Sequence, residues 1–231
     1  MADVNYEDLL PEILPMVAGC SDTLILNNIR SAAIEFCEKS GVYQEELDPI
    51  TTVDGLYQYD LEAPSGARIH KILWVTFEGG DLEPISTTLL EQRLPKWRTS
   101  NQKGKPIYYV KDSLTTISLV PIPSATVPSS TNVRAILKPT HTSTACSDQV
   151  MSEYRDAIVN GALFRLLRIP SKDWTDFSGA QVYGTLFTEQ IRYAEMCARN
   201  ADTGIARKVN YGGLYTRSGL RRNRYGNERK S

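Results

Sequence analysis

Between Asp148 and Asn200 apolar residues recur at intervals of three and four, and nowhere else does the chain keep that period so long. The spacing predicts two long helices folded back on each other as a hairpin. On the first, Met151, Tyr154, Ile158 and Ala162 fall on the apolar side, and Gln149, Glu153, Asp156 and Asn160 share one polar arc. Pro170 is expected to end it, because proline lacks a backbone donor and constrains the residue before it. A link over Ser171–Gly179 leads to the second helix, which starts at Ala180. There Tyr183, Phe187, Ile191, Ala194 and Ala198 share a face, while Glu189, Arg192, Glu195 and Arg199 point away. This is a scaffold pattern, and it carries no signature of an active site.

The N-terminal part is also helical. A first helix is expected over Tyr6–Val17, with Pro11 and Pro15 blurring its ends. Ser21 or Asp22 then caps a clearer helix that runs to Lys39 and stops at Gly41. Leu24, Asn28, Ala32 and Phe36 form one stripe on it, and Ile25, Ile29, Ala33 and Cys37 a neighbouring one. So broad an apolar side predicts packing against the C-terminal hairpin, giving a helical bundle whose halves are far apart in sequence.

Between these halves the period drops to two. Leu56–Leu61, Arg68–Phe77, Ile107–Lys111, Thr116–Val120 and Val133–Lys138 read as strands. Their connections read as too short for crossover helices, which predicts antiparallel pairing in a sandwich or barrel-like unit. Gly79–Gly80 is expected in a hairpin turn, Ser86–Leu94 in a short surface helix, and Lys96–Lys105 and Pro121–Asn132 in loops. The predicted class is α+β: N-terminal helices over residues 1–42, an inserted β domain over 43–145, the helical hairpin over 146–204 and a basic extension over 205–231.

Composition limits what such a scaffold does. At 231 residues, with 41% hydrophobic and 23% charged residues, the chain can bury a sizeable core. No apolar run approaches the ~18 residues of a membrane span, and the acidic N-terminus lacks the pattern of a signal peptide. Cys20, Cys37, Cys146 and Cys197 are scattered and read as free thiols of a cytosol-made protein. The net charge of −1 hides an asymmetry. Arg207, Lys208, Arg217, Arg221, Arg222, Arg224, Arg229 and Lys230 stand against Glu228 alone after Ile205, a tail of +7 that leaves −8 on residues 1–204. Such a tail calls for an anionic partner, and Tyr211, Leu214, Leu220 and Tyr225 within it suit a segment that docks on assembly.

Chemistry finds little purchase. His70 and His141 are the only histidines, and no metal-ligand spacing surrounds them. There is no nucleophile elbow and no phosphate-binding loop. The acidic pairs Glu45–Glu46 and Asp173–Asp176 sit by turns or helix starts, where carboxylates cap and solvate. Trp97 and Arg98, beside Lys96, Lys103 and Lys105, read either as a small basic patch or as an exposed loop with one anchoring Trp. Trp174 and Phe177 read as a plug between helix ends or as an interface. Trp97, Trp174 and Phe177 are therefore the interface candidates; no catalytic, cofactor-binding or metal-binding residue is assigned.

Three segments in order resemble the head-to-tail adaptor (connector) proteins of tailed bacteriophages, nearest the tail tubular protein A type of short-tailed phages. The first is the helix ending in FCEKSGVYQEELDPI, Phe36–Ile50. The second is GKPIYYVKDSLTTISLVPIPSA, Gly104–Ala125, with its Gly-x-Pro, two strands and Pro-x-Pro. The third is YRDAIVNGALFRLLRIPSKDW followed by YGTLFTEQIRYAEMCAR. The resemblance covers about residues 5–205. It implies a structural virion protein at the neck: a dodecameric ring bound below the portal protein, joined to the nozzle or next tail component, and enclosing the channel for genomic DNA. Tail fibres or tailspikes are further implied partners. The resemblance carries over no catalytic residue and no cofactor.

On this reading the basic tail docks on the portal or a neighbouring subunit, with Arg residues suited to bidentate contacts with carboxylates. Other readings stay open in the sequence. One is a stopper or tail-completion protein without portal contact, and another is a glycan- or DNA-acting enzyme of a phage tail. A third is a DNA-binding module contacting phosphates through Arg221, Arg222 and Arg224.

Overall fold

The computed structural model describes residues 3–99 and 103–200. Strand β1 (Asp3–Asn5) opens the chain, followed by a 3-10 turn over Tyr6–Leu9, the single-turn helix α1 (Leu10–Ile13) and a second 3-10 turn over Leu14–Met16. The expected N-terminal helix is thus a succession of short turns, because Pro11 and Pro15 each withhold a donor. Helix α2 (Asp22–Ser40) follows. Gly41 ends it in the left-handed conformation at φ 65°, its N–H donating to the Cys37 carbonyl at 3.0 Å.

Strands β2 (Gln44–Glu46), β3 (Ile50–Thr52), β4 (Gln58–Asp60), β5 (Ala67–Phe77), β6 (Gly80–Asp81) and β7 (Glu83–Pro84) come next, then helix α3 (Thr87–Arg93). After it lie β8 (Lys103–Gly104), β9 (Tyr108–Lys111), β10 (Thr116–Val120), β11 (Ile122–Pro123), β12 (Val127–Pro139) and β13 (Ala145–Ser147). Helices α4 (Asp148–Glu153), α5 (Arg155–Leu166) and α6 (Phe177–Asn200) complete the described chain.

The long antiparallel pair β5–β12 is the spine of one sheet, ordered β2-β12-β5-β6, with β3 also paired to β12. Two register shifts leave His70 and Leu73 as extra residues in β5, which is why Ile69, Ile72, Val75 and Phe77 all turn inward despite uneven spacing. The β5–β6 turn places Glu78 at φ 48° and Gly79 at φ 77°, the two positive values a tight hairpin requires. A second sheet is ordered β4-β10-β9-β7. Tyr59, Ile117 and Leu119 of this sheet share one hydrophobic core with Val75, Val133 and Leu137 of the first.

Three sequence expectations change here. Pro121–Asn132 is not a loop: it contains β11 and the first part of β12. Its Ser and Thr residues read as turn formers, yet Thr52 and Ser130 are buried and bonded hydroxyl to hydroxyl at 2.9 Å. Pairing is not wholly antiparallel either, since β7–β9 and β8–β11 are parallel. The excursion through α3 supplies the crossover that parallel β7–β9 pairing needs. Third, the first long helix is broken: at Tyr154, φ −119° and ψ 27°, the chain steps out of helical geometry between α4 and α5. Helix α5 stops at Leu166, ahead of Pro170, and α6 begins at Phe177, ahead of Ala180.

The same core continues from the sheets into the helices. Ile25, Ile29, Ala32, Ala33, Phe36 and Cys37 of α2 are all fully buried, and both predicted stripes contribute. Phe36 contacts Tyr154 and Phe187 with ring centroids 5.2 and 6.4 Å apart. The start of the described chain is tied to the strand that leads into α4 by β1–β13, in which Asp3 pairs with Ser147. Tyr6 reinforces that tie through a hydroxyl contact to Ser143 at 3.2 Å, and Arg30 of α2 donates to the Ser143 carbonyl at 2.6 Å. A smaller core lies under α3, where Leu90, Trp97, Val110 and Val120 are buried together.

Candidate functional site

Helix α6 is fixed from its first turn. The Asp176 carboxylate accepts from the backbone N–H of Gly179 at 3.0 Å, and from the N–H and hydroxyl of Ser178 at 3.1 and 2.7 Å. These bonds, the one from Gly179 foremost, hold its carboxyl below the usual range. Asp176 is therefore engaged as a helix cap. The inner face of α6 carries Ala180, Phe187, Ile191 and Ala194, all buried. Asn160 of α5 donates to Gln190 of α6 at 3.0 Å, so part of the predicted polar arc serves the contact between these helices.

The outer face of α6 is apolar as well. Val182, Leu186, Tyr193 and Met196 are 59%, 40%, 61% and 54% exposed. At ~100° per residue these four fall within about 80° of arc, opposite the buried set. Glu189 is the acidic residue on that arc. A soluble helix ordinarily turns polar residues outward, whereas this one leaves a ridge of four large apolar side chains in solvent.

Beside the ridge runs an open groove of about 970 Å³ between α6 and the exposed sides of α2 and α5. Its floor includes Phe164, Phe187 and Ile191, and Gly184 and Thr188 form its α6 wall. Gly184 makes that shape possible: a methyl there would lie 2.7 Å from the Phe164 ring. Arg168 stacks on Phe164, its guanidinium 4.9 Å from the ring centroid. Across the groove Glu35 accepts from Lys39 at 2.5 Å and from Arg165. Burial alone would raise the Glu35 carboxyl, but the Lys39 hydrogen bond and the Arg165 charge hold it below the ordinary value.

The structure distributes the sequence candidates differently. Trp97 is 1% exposed, stands edge-on to Tyr57 at 5.7 Å, and anchors the small core within the subunit. Arg98 stacks on it at 4.4 Å and pairs with Glu91 at 3.0 Å. Lys103 pairs with Asp54 at 2.8 Å and Lys105 with Glu78 at 2.9 Å. The cations of this loop are thus largely matched by carboxylates and do not assemble an open basic patch. Trp174 is half-buried against the main core, whereas Phe177 is 59% exposed at the start of α6. His70 lies beside Glu38 at 3.7 Å, and among the described residues no cluster of His, Cys, Asp and Glu is placed to hold a metal ion. Arg207, Lys208, Arg217, Arg221, Arg222, Arg224, Arg229 and Lys230 lie outside the described residues.

Sequence reasoning found the inner stripe of α6 and missed the outer one. The signal was present as the intervals of four, seven and three that separate Val182, Leu186, Tyr193 and Met196. Among known proteins, the family model described as SU10 adaptor protein matches residues 4–210. No curated protein matches the chain.

Proposed function

The chain belongs to the SU10 adaptor protein family, a structural family of phage head-to-tail adaptors, and on that premise we propose that it is a virion protein of the phage neck. In this reading it forms a ring that joins the portal to the nozzle or next tail component and encloses the DNA channel, as expected for the tail tubular protein A type. A dodecamer below the portal is the proposed assembly. The observation that carries the reading is the extent of the family match, which spans nearly the whole described fold.

Two features support it. The outer apolar face of α6 is a surface that a lone subunit leaves exposed to water, at a cost that association removes. The opposition between a body of −8 and a tail of +7 suits a part that meets DNA weakly and grips a protein neighbour firmly. Ordering that tail on docking costs conformational entropy, which the charge-assisted contacts of its Arg residues would offset.

The reading is tested by producing particles without this chain. It predicts heads that carry portal and lack an attached tail, with tails restored when the chain is added back. Normal tailed particles in its absence would overturn it. Deleting residues 210–231 tests the tail separately: portal docking predicts lost incorporation, with salt weakening the intact chain's binding. Unchanged incorporation would remove the tail from the mechanism.

A further inference from the structure

Between β5 and the β7–β9 side of the second sheet lies an open recess of about 280 Å³. Ile72, Pro84, Ile85 and Tyr109 give it an apolar lining, and its charged lining residues are Lys71 and Lys111. Both lysines are exposed, and neither has an ion-pair partner among the described residues. The nearest carboxylates in sequence are turned elsewhere. Asp112 accepts from the Ser118 hydroxyl, and Glu83 precedes Pro84 on a strand, where successive side chains take opposite faces. The cations continue along β5. His70 and Lys138 both reach Glu38, at 3.7 and 2.9 Å. Arg68 stands directly across from Lys138 in the β5–β12 register, a like-charge pairing that ordinarily weakens a sheet. Its Nε is buried with no hydrogen-bond partner among the described residues. Glu38 is thus matched to Lys138, and Arg68, Lys71 and Lys111 are left without a carboxylate of their own. We propose that this strip receives an acidic segment of a partner protein, with one apolar side chain seated in the recess and flanking carboxylates on Lys71 and Lys111.

The lining chooses the occupant. Peptide carboxylates supply the counter-charge that the strip lacks, through charge-assisted hydrogen bonds. Phosphates of a DNA duplex would meet the same lysines, but a sugar-phosphate backbone has no apolar group to fill a concave surface of Ile72, Ile85 and Tyr109. Lys71 and Arg68 lie three residues apart on β5, ~10 Å along an extended strand, so a short segment with a few carboxylates covers the strip. None of these residues belongs to α6 or to the basic extension. The site therefore goes beyond the adaptor reading: it is a docking surface on the body of the chain, of opposite preference to the net charge of that body.

The experiment uses the full chain and a short glutamate-rich peptide with a single central benzoylphenylalanine, a photoreactive apolar side chain. The proposal predicts cross-links, mapped by mass spectrometry, at Ile72, Ile85 or Tyr109. It predicts that the double variant Lys71→Glu with Lys111→Glu binds the peptide about tenfold or more weakly, with circular dichroism and melting temperature matching the parent. If that variant does not fold, Lys71→Gln with Lys111→Gln carries the same prediction of weakened binding. The basic extension also attracts an acidic peptide, so a third variant replaces Arg221, Arg222 and Arg224 by Gln; the recess cross-links should persist in it. Cross-links confined to residues 205–231, or undiminished binding by the folded lysine variants, would overturn the proposal. So would equal binding of a glutamine-rich version of the peptide. A DNA duplex that binds through Lys71 and Lys111 while the peptide leaves the recess unlabelled would assign the surface to nucleic acid instead.

Discussion

Gly161 of α5 lies directly against Phe187 of α6: a methyl built on Gly161 falls 2.8 Å from the ring and 3.0 Å from the β-carbon of Ala32. Two helices therefore meet at a position where only hydrogen fits. Replacing Gly by Ala in a helix interior ordinarily gains up to about 1 kcal/mol, but overpacking a filled core costs about 1–3 kcal/mol. The Ala32 contact cannot swing away, and Phe187 is itself buried beside Phe36. Gly161→Ala is thus expected to destabilise the chain by about 1–2 kcal/mol, measured by urea denaturation. Increased stability would contradict this packing.

Trp97 offers a contrast between two substitutions. Its ring is fully buried, yet its indole N–H has no hydrogen-bond partner among the described residues. Trp97→Ala should cost about 3–5 kcal/mol through lost burial and a cavity. Trp97→Phe keeps most of the apolar contact and removes an unpaired donor, so its cost should stay below about 1.5 kcal/mol. Equal losses for the two variants would mean that the N–H is satisfied after all.

The Glu35–Arg165 pair links α2 to α5, and its effect on stability has a definite sign with pH. The carboxyl is lowered in the folded chain, so its contribution is present above the unfolded value and disappears as pH falls through the folded one. Glu35→Gln should be less stable than the parent by about 1 kcal/mol or less above pH ~5, the pair being partly exposed. The two stability curves should converge below pH ~4. A gap that persists undiminished in acid would show that the charge of Glu35 is not what matters.

The four thiols should react unequally. Cys37 hydrogen-bonds with Cys146 and is wholly enclosed, and both effects push its thiol well above the usual range. Burial, followed by the nearby Asp22 charge, raises Cys20. Cys146 is buried, whereas Cys197 on α6 is half-exposed. A maleimide reagent should therefore label Cys197 in the native chain and the other three only after denaturation, as read by mass spectrometry. Rapid native labelling of Cys37 or Cys146 would contradict the described core.

Much of this fold was legible where periodicity and capping agree. The helix from Asp22 to Ser40 is marked at both ends, and Thr116–Val120 alternates so plainly that its bounds could be read off. What failed has physical causes. Ser130 looked like part of a loop because hydroxyl residues favour turns, and its burial rests on a distant partner, the Thr52 hydroxyl. The loop around Trp97 read equally as a basic patch or as an exposed loop with one anchoring Trp, because the carboxylates that pair with Lys103 and Lys105, Asp54 and Glu78, are remote in sequence. The outer ridge of α6 was hidden by a stronger stripe on the same helix: an apolar residue does not declare which of two neighbours it faces.

A reconstruction of the neck of intact particles, with this chain traced in the density, bears most directly on the central claim. The account predicts a closed ring of copies between portal and tail, with the DNA channel at its centre. A chain found away from the portal–tail junction, or present there as isolated single copies, would contradict it.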